Sequence, residues 1–279
     1  MFTHLQLTER EFIKYRDIVY KEAGITLNDS KKALLQARLM RRMRALNISE
    51  FSEYYEYLME NYEDEKVNFI NSITTNKTEF FRESRHFDFM MEQALSEFVE
   101  MGRKEIKIWS AGCSTGEEPY TIAITLQEYF ENKTKPVLKI LATDIDTQVL
   151  DKAKEGIYRS DLIEDIPVEI LKKYFYRGKA ENDGLFKIKE NIKNIITFSR
   201  LNLLDDPYPM KGQFDIIFCR NVIIYFNKET QEILFKKFSR YLADHGYLFI
   251  GHSENISSIS DEFLLIGNTI YKKKVIDAR

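Results

Sequence analysis

Two rhythms of apolar residues divide this chain. Up to about residue 70, large apolar side chains recur at helical spacing. Phe12, Tyr15, Ile18 and Val19 form one stripe; Leu35, Leu39, Met43 and Leu46 form another. No strand-like alternation interrupts them. The pattern breaks around Asn71 to Phe81, where the polar run TTNK meets aromatics, and a domain boundary is placed there: 1–72 helical, 73–279 a second domain. From Glu105 the rhythm alternates. Strand 106–111 leads to helix 117–131 and strand 137–143 to helix 147–154. Strands follow near 195–199, 214–219 and 246–251, with a helix at about 228–242 between the last two. Alternation of this kind predicts an α/β fold, a mainly parallel sheet covered by helices. The run FLLIGNTIYKKK, with apolar segments on either side of Gly267-Asn268, predicts a closing hairpin. An insertion at about 157–198 interrupts the alternation, with a helical piece at 167–176 and a small hairpin at the turn Asn182-Asp183-Gly184.

The turn between the first strand and its helix carries the first chemical signal. In WSAGCSTGEEPY, Gly112 and Gly116 permit close approach of a ligand to the backbone. A strand–turn–helix of this kind suits a nucleotide-like ligand. Glu117 and Glu118 oppose the anion preference of a helix start, so a phosphate is disfavoured and an amino group is suited. Glu117, the first acid after Gly116, is the first choice for that group; Glu118 remains open as the alternative. The second strand ends in Asp144, followed by Asp146, and an acid there is placed for the two hydroxyls of a ribose. Its competing role is to cap the next helix. The dinucleotide spacing GxGxxG is absent. Ribose without phosphate, plus an amino-acid end, describes S-adenosylmethionine, with S-adenosylhomocysteine as its product.

The runs SITTNKTEFFRESRHF, WSAGCSTGEEPYTIAITL, ATDIDTQVLDKAKEGIY, FDIIFCRNVIIYF and GYLFIGHSEN extend over most of the chain beyond residue 70. In these five ordered runs the chain resembles the CheR family of chemotaxis receptor methyltransferases. The resemblance implies a class I, Rossmann-like methyltransferase sheet with an antiparallel edge, a small β-subdomain insertion and an all-α N-terminal domain. It implies methyl transfer from S-adenosylmethionine to glutamate carboxylates in the cytoplasmic helices of chemoreceptors. It places Asn76, Thr78 and Arg82 against the cofactor, where Arg82 fixes the carboxylate end or orients the incoming glutamate. Were TNKTEFFR helical, Thr78 and Arg82 would share a face; otherwise the segment reads as a cap with a solvated arginine. The resemblance also assigns Asn202 and Leu203 to the adenine edge, Arg220 and Asn221 to the cofactor, and Tyr225 to the transferring methyl. The peptide-docking form of the β-subdomain has glycines on both sides of its turn. Here Gly178 is followed by Lys179-Ala180-Glu181, a departure from that form.

Composition narrows the alternatives. The 279 residues carry a formal charge of −3, so no global nucleic-acid footprint is present. No apolar run is long enough to span a membrane and the start, MFTHLQLTEREF, is polar, so neither membrane insertion nor a secretory leader is expected. Cys113 and Cys219 indicate no disulfide framework and fit a reducing cytoplasm. The histidines, at 4, 86, 245 and 252, lack metal-ligand spacing, and no metal site is expected. His252-Ser253-Glu254 is no triad, since three consecutive residues do not converge and the nucleophile elbow is missing. One segment is strongly basic: KKALLQARLMRRMRAL has two lysines, four arginines and no acid. Lys31, Arg38, Arg41, Arg42 and Arg44 spread over roughly half the helix circumference. The resemblance implies that this face meets the acidic methylation helices of receptors, a contact that charge would steer. An RNA or small-molecule substrate on the same fold is the runner-up, without the NPPY-type motif it would favour. A signalling adaptor that binds the cofactor without turnover is the third reading.

Overall fold

The computed structural model describes residues 5–256 and 259–274. The polar start read above falls partly in residues 1–4, outside that range. Four helices come first: α1 (Glu9–Ala23), α2 (Lys32–Leu46), α3 (Phe51–Glu60) and α4 (Tyr62–Ile73). Thr8 opens α1 with a reciprocal cap, its hydroxyl accepting the Glu11 N–H while Glu11 accepts the Thr8 N–H. Gly24, at φ 69°, closes the helix in the left-handed region. The two predicted apolar stripes meet in one core, where Phe12, Tyr15, Leu35, Leu39, Tyr54 and Phe69 have almost no exposure.

A non-helical strap, residues 74–84, joins this bundle to the rest. The chain then forms α5 (Arg85–Phe89), a π-helical turn at Met90–Ala94 and α6 (Leu95–Glu100). Alternation begins with β1 (Glu105–Ala111), α7 (Glu117–Tyr129), β2 (Val137–Asp144) and α8 (Thr147–Glu155). The insertion holds β3 (Ile157–Arg159), α9 (Val168–Tyr174), β4 (Phe175–Arg177), β5 (Leu185–Ile188) and α10 (Glu190–Lys193). The main alternation then resumes with β6 (Ile196–Arg200), β7 (Phe214–Cys219), α11 (Lys228–Tyr241), β8 (Leu242–Ile250), β9 (Phe263–Gly267) and β10 (Ile270–Lys273).

Seven strands form one sheet in the order β6-β2-β1-β7-β8-β10-β9, and β3-β5-β4 form a small antiparallel sheet. The first five strands of the large sheet run parallel; β10 and β9 add the antiparallel edge expected from the closing hairpin. The predicted insertion hairpin is β4–β5, with β3 as a third strand. Its turn holds Ala180 at φ 53°, a conformation glycine would adopt without steric cost. Side chains of the central strands alternate between two cores. Ile108, Ile216, Phe218 and Phe249 point to the face covered by α7 and the α5–α6 segment. Trp109, Ile217, Cys219 and Leu248 point to the face covered by α11.

Register sets where a ligand meets this sheet. Ala111 lies opposite Thr143, Asp144 opposite Arg200, and Cys219 opposite Ile250, so all five carboxyl ends share one rim. The chain winds outward from β1 through β2 to β6, then returns to the other side of β1 as β7. That reversal opens a crevice between the ends of β1 and β7, where open α/β sheets bind ligands. The helical bundle covers this rim. Ile25 bridges Phe226, the Thr26 N–H donates to the Tyr225 carbonyl at 2.8 Å, and Asn71 bonds Thr147 at 2.9 Å.

Candidate active site

Between bundle and rim lies a cavity of about 700 Å³. Its sheet-side wall is the β1–α7 turn. Gly112 sits at φ 87°, and a Cβ there would stand 2.4 Å from Val222 Cγ2, so only glycine fits. The same turn places Glu118 on the cavity wall. Its carboxylate accepts the Ser110 hydroxyl at 2.7 Å and faces the Arg220 guanidinium at 3.4 Å. Burial pushes Glu118 above the ordinary carboxylate range, with Arg220 opposing. Glu117 is placed differently from the first choice made on sequence. It does not line the cavity; it is buried and accepts the Thr115 hydroxyl at 2.6 Å. One residue along a helix turns a side chain by about 100°, enough to separate the two acids.

Asp144, at the tip of β2, also lines the cavity. Its two oxygens accept the Ser114 N–H at 2.8 Å and the Asp146 N–H at 3.0 Å, bonds that hold the carboxylate while leaving lone pairs for other donors. Burial raises its pKa against those bonds. The helix cap considered for Asp144 belongs to Asp146, which accepts the Gln148 and Val149 N–H groups at the start of α8.

The strap supplies the opposite wall, and it is not helical at Thr78 or Arg82, so no shared helix face relates them. Instead the segment is tied down point by point. Thr74 and Asn76 donate to Asp146 at 2.6 and 2.8 Å, and the Asn76 carbonyl accepts the Ser114 hydroxyl at 3.0 Å. Asn76 therefore lines the cavity with its amide nitrogen already committed. Phe80 packs edge-on against Tyr158 and Phe175. Phe81 and Glu83 sit at φ 54° and 55°, an uncommon conformation for side chains of their size. Thr78 and Arg82 reach the cavity, and Arg82 also donates to the Lys77 carbonyl at 3.1 Å.

Arg220 and Asn221 follow β7. The Arg220 side chain is almost fully buried and is engaged on every side. It pairs with Glu83 at 3.1 Å and with Glu118, donates to the Arg82 carbonyl, and lies over the Phe87 ring. It lines the cavity and joins strap to rim, holding Glu118. Burial acts most strongly on Glu83 and would raise it, but Arg220 together with the His252 N–H and ring holds it below the usual range. Asn221 takes φ 59° and donates its N–H to Glu254, packed so closely on Gly251 that a Cβ there would meet its amide at 2.5 Å. Tyr225 is half-buried on the cavity wall. Asn202 and Leu203 line the far end; the Asn202 side chain bonds the Glu22 carbonyl and the Leu204 N–H.

The basic helix does not present one uniform face. Lys31 and Arg38 line the cavity, and Arg38 bonds Thr75 at 2.7 Å. Arg42 turns inward and grips the buried Glu65 carboxylate through two nitrogens, at 2.7 and 2.5 Å. That pair corrects its assignment to a docking face. Arg41 and Arg44 are exposed. Sequence reasoning missed Glu83 altogether, because its partner Arg220 stands 137 positions away and no local pattern joins them. The histidines without ligand spacing also meet unexpectedly: His86 and His252 pack together beside Glu83, with ring centroids 5.2 Å apart. No helix among the described residues is long and apolar enough to cross a membrane.

Comparison with known proteins decides the family. The family model for the CheR methyltransferase SAM binding domain matches residues 76–272, and that for the CheR all-alpha domain matches residues 10–74. The chain belongs to the CheR methyltransferase family. A chemotaxis protein methyltransferase of Salmonella typhimurium is 42% identical over 272 residues, covering 97% of this chain and 92% of the relative. Its counterpart in Borreliella burgdorferi is 42% identical over 259 residues, covering 91% and 90%. The chemotaxis protein methyltransferase 2 of Pseudomonas aeruginosa is 40% identical over 264 residues, covering 95% and 93%. This CheR methyltransferase is thus an S-adenosylmethionine-dependent enzyme with the α/β fold expected. The cavity suits that molecule: Gly112 presents bare backbone to it, and the acids on its wall match an ammonium and a pair of hydroxyls.

Proposed function

We propose that the chain methylates glutamate side chains in the cytoplasmic helices of chemoreceptors, forming methyl esters, and that it does so in the cytoplasm. The observation that carries this reading is the pairing of two acids, Glu118 and Asp144, on one cavity wall beside the bare backbone of Gly112. Glu118 holds the amino group of the cofactor and Asp144 its ribose hydroxyls. Leu203 and Asn202 bound the adenine end, and Gly112 lets the backbone approach. Arg220 acts through Glu118 and Glu83, and Asn76 braces the strap.

S-adenosylmethionine supplies an activated methyl group when bound. The acceptor carboxylate, with an unperturbed pKa of about 4.3, is ionised at neutral pH, so the chain needs no general base. Its work is to align the acceptor and exclude water, which supplies much of a methyl-transfer rate. Arg82, at the cavity wall, suits the incoming carboxylate, and Tyr225 bounds the space beside the reacting groups. Lys31, Arg38, Arg41 and Arg44 give the adjoining bundle surface a positive field that steers an acidic helix toward the cavity.

Incubation with radiolabelled cofactor and a receptor cytoplasmic fragment should yield label that mild base releases as methanol. Label that is stable to base, or appears on RNA instead, would overturn the proposal.

A further inference from the structure

We propose that Glu83, His86 and His252 form a binding site for one transition-metal ion of the zinc type, placed behind the cofactor cavity and inhibitory to it. One ligand atom from each residue falls within 4.8 Å of the others. His86 is fully buried, and its Nε2 lies 3.1 Å from the Asn268 carbonyl, a contact that requires a protonated nitrogen. Nδ1 is then a bare lone pair. It has no hydrogen-bond partner and faces the Glu83 Oε2 atom at 3.5 Å. An imidazole whose outer N–H is fixed by a backbone carbonyl while its other nitrogen points into a donor cluster is the arrangement metal-bound histidines adopt.

His252 completes the set. Its Nε2 lies 3.8 Å from the same Glu83 oxygen, and its backbone N–H donates to the other at 3.2 Å. Tetrahedral coordination at about 2.0–2.1 Å per nitrogen separates ligand atoms by roughly 3.3 Å. The cluster therefore needs only a small closure, which the half-exposed His252 side chain is free to make. Two imidazoles and one carboxylate favour zinc-like ions over magnesium or calcium, which take oxygen ligands.

The site is coupled to the cavity by a shared atom. Glu83 Oε2 is also the partner of Arg220 at 3.1 Å, and Arg220 holds Glu118. An ion on that oxygen takes the acceptor from Arg220 and repels its charge, loosening Glu118. The coupling rests on the assignment of Glu118 to the cofactor; the ion site does not.

Untagged protein titrated with Co²⁺ alone should take up one equivalent with a visible d–d absorption band. His252→Ala should weaken binding at least tenfold, and His245→Ala should leave it unchanged. No band, or equal binding in His252→Ala, would overturn the site. Saturating Co²⁺ should lower S-adenosylhomocysteine affinity several-fold in the unsubstituted protein and not in His252→Ala; unchanged affinity would overturn the inhibition. Failure of S-adenosylhomocysteine to bind metal-free protein would count against the cofactor assignment instead.

Discussion

The β1–α7 turn and the strap at residues 74–84 face each other across one cavity, yet they are built on different principles. The turn, Gly112 to Glu118, has a shape set first by its own residues, glycines in the left-handed region and a helix that starts at once, and is then braced by Thr143 and Asp144 of the next strand tip and by Tyr158. The strap has no regular structure and takes its course from distant partners: Asp146 for Thr74 and Asn76, Thr121 for the Phe81 N–H, and Arg220 for Glu83. Locally encoded geometry tolerates changes elsewhere, whereas borrowed geometry fails when a partner is lost. Arg220 belongs to both, and the comparison can be broken there first.

Arg220→Met should have the largest effect, because it strands Glu83 and Glu118 in a buried setting. Breaking one side of such a cluster costs about 3–5 kcal/mol. Chemical denaturation should register that loss.

Asp144 and Asp146, two positions apart, sharpen the contrast between ligand and scaffold. Asp144→Ala should weaken S-adenosylhomocysteine binding by at least about 100-fold, as expected for losing two charged hydrogen bonds of about 1.5–3 kcal/mol each. Asp146→Ala removes the α8 cap and the strap anchor. It should cost about 1–2 kcal/mol of stability, with affinity reduced only a few-fold. Calorimetric titration beside thermal unfolding separates the two outcomes.

A smaller difference is expected between the neighbouring acids of α7. Glu118→Gln should lower cofactor affinity about tenfold, a loss of about 1.4 kcal/mol, and Glu117→Gln should leave it nearly unchanged. The pH dependence follows from the sign of the shift. Glu118 must be ionised to hold an ammonium, and burial raises its pKa. Affinity should therefore fall as pH drops through a value above the ordinary carboxylate range. That decline should persist in full in Glu117→Gln and become shallower in Glu118→Gln, where only Asp144, also raised by burial, still titrates against the ligand, measured by calorimetry across a pH series.

The same contrast explains what the sequence could and could not disclose. Sheet strands, the closing hairpin and the insertion hairpin follow from period-2 runs and turn residues, which act locally. The rim residues Gly112 and Asp144 were legible because a strand tip and a glycine turn announce themselves. Glu117 and Glu118 were not separable, since both open the same helix and only its packed orientation turns one inward. Arg42 looked like its basic neighbours, but the acid that claims it, Glu65, sits on another helix. The strap read as a conditional helix because TNKTEFFR carries no turn signal. Its backbone is held instead by contacts 38 to 138 positions away.

A crystal structure of the chain with S-adenosylhomocysteine tests the central claim most directly. The amino nitrogen should lie within hydrogen-bond distance of the Glu118 carboxylate, with both ribose hydroxyls on Asp144. A nucleoside bound outside the cavity between bundle and rim, or an amino group seated on Glu117, would contradict it.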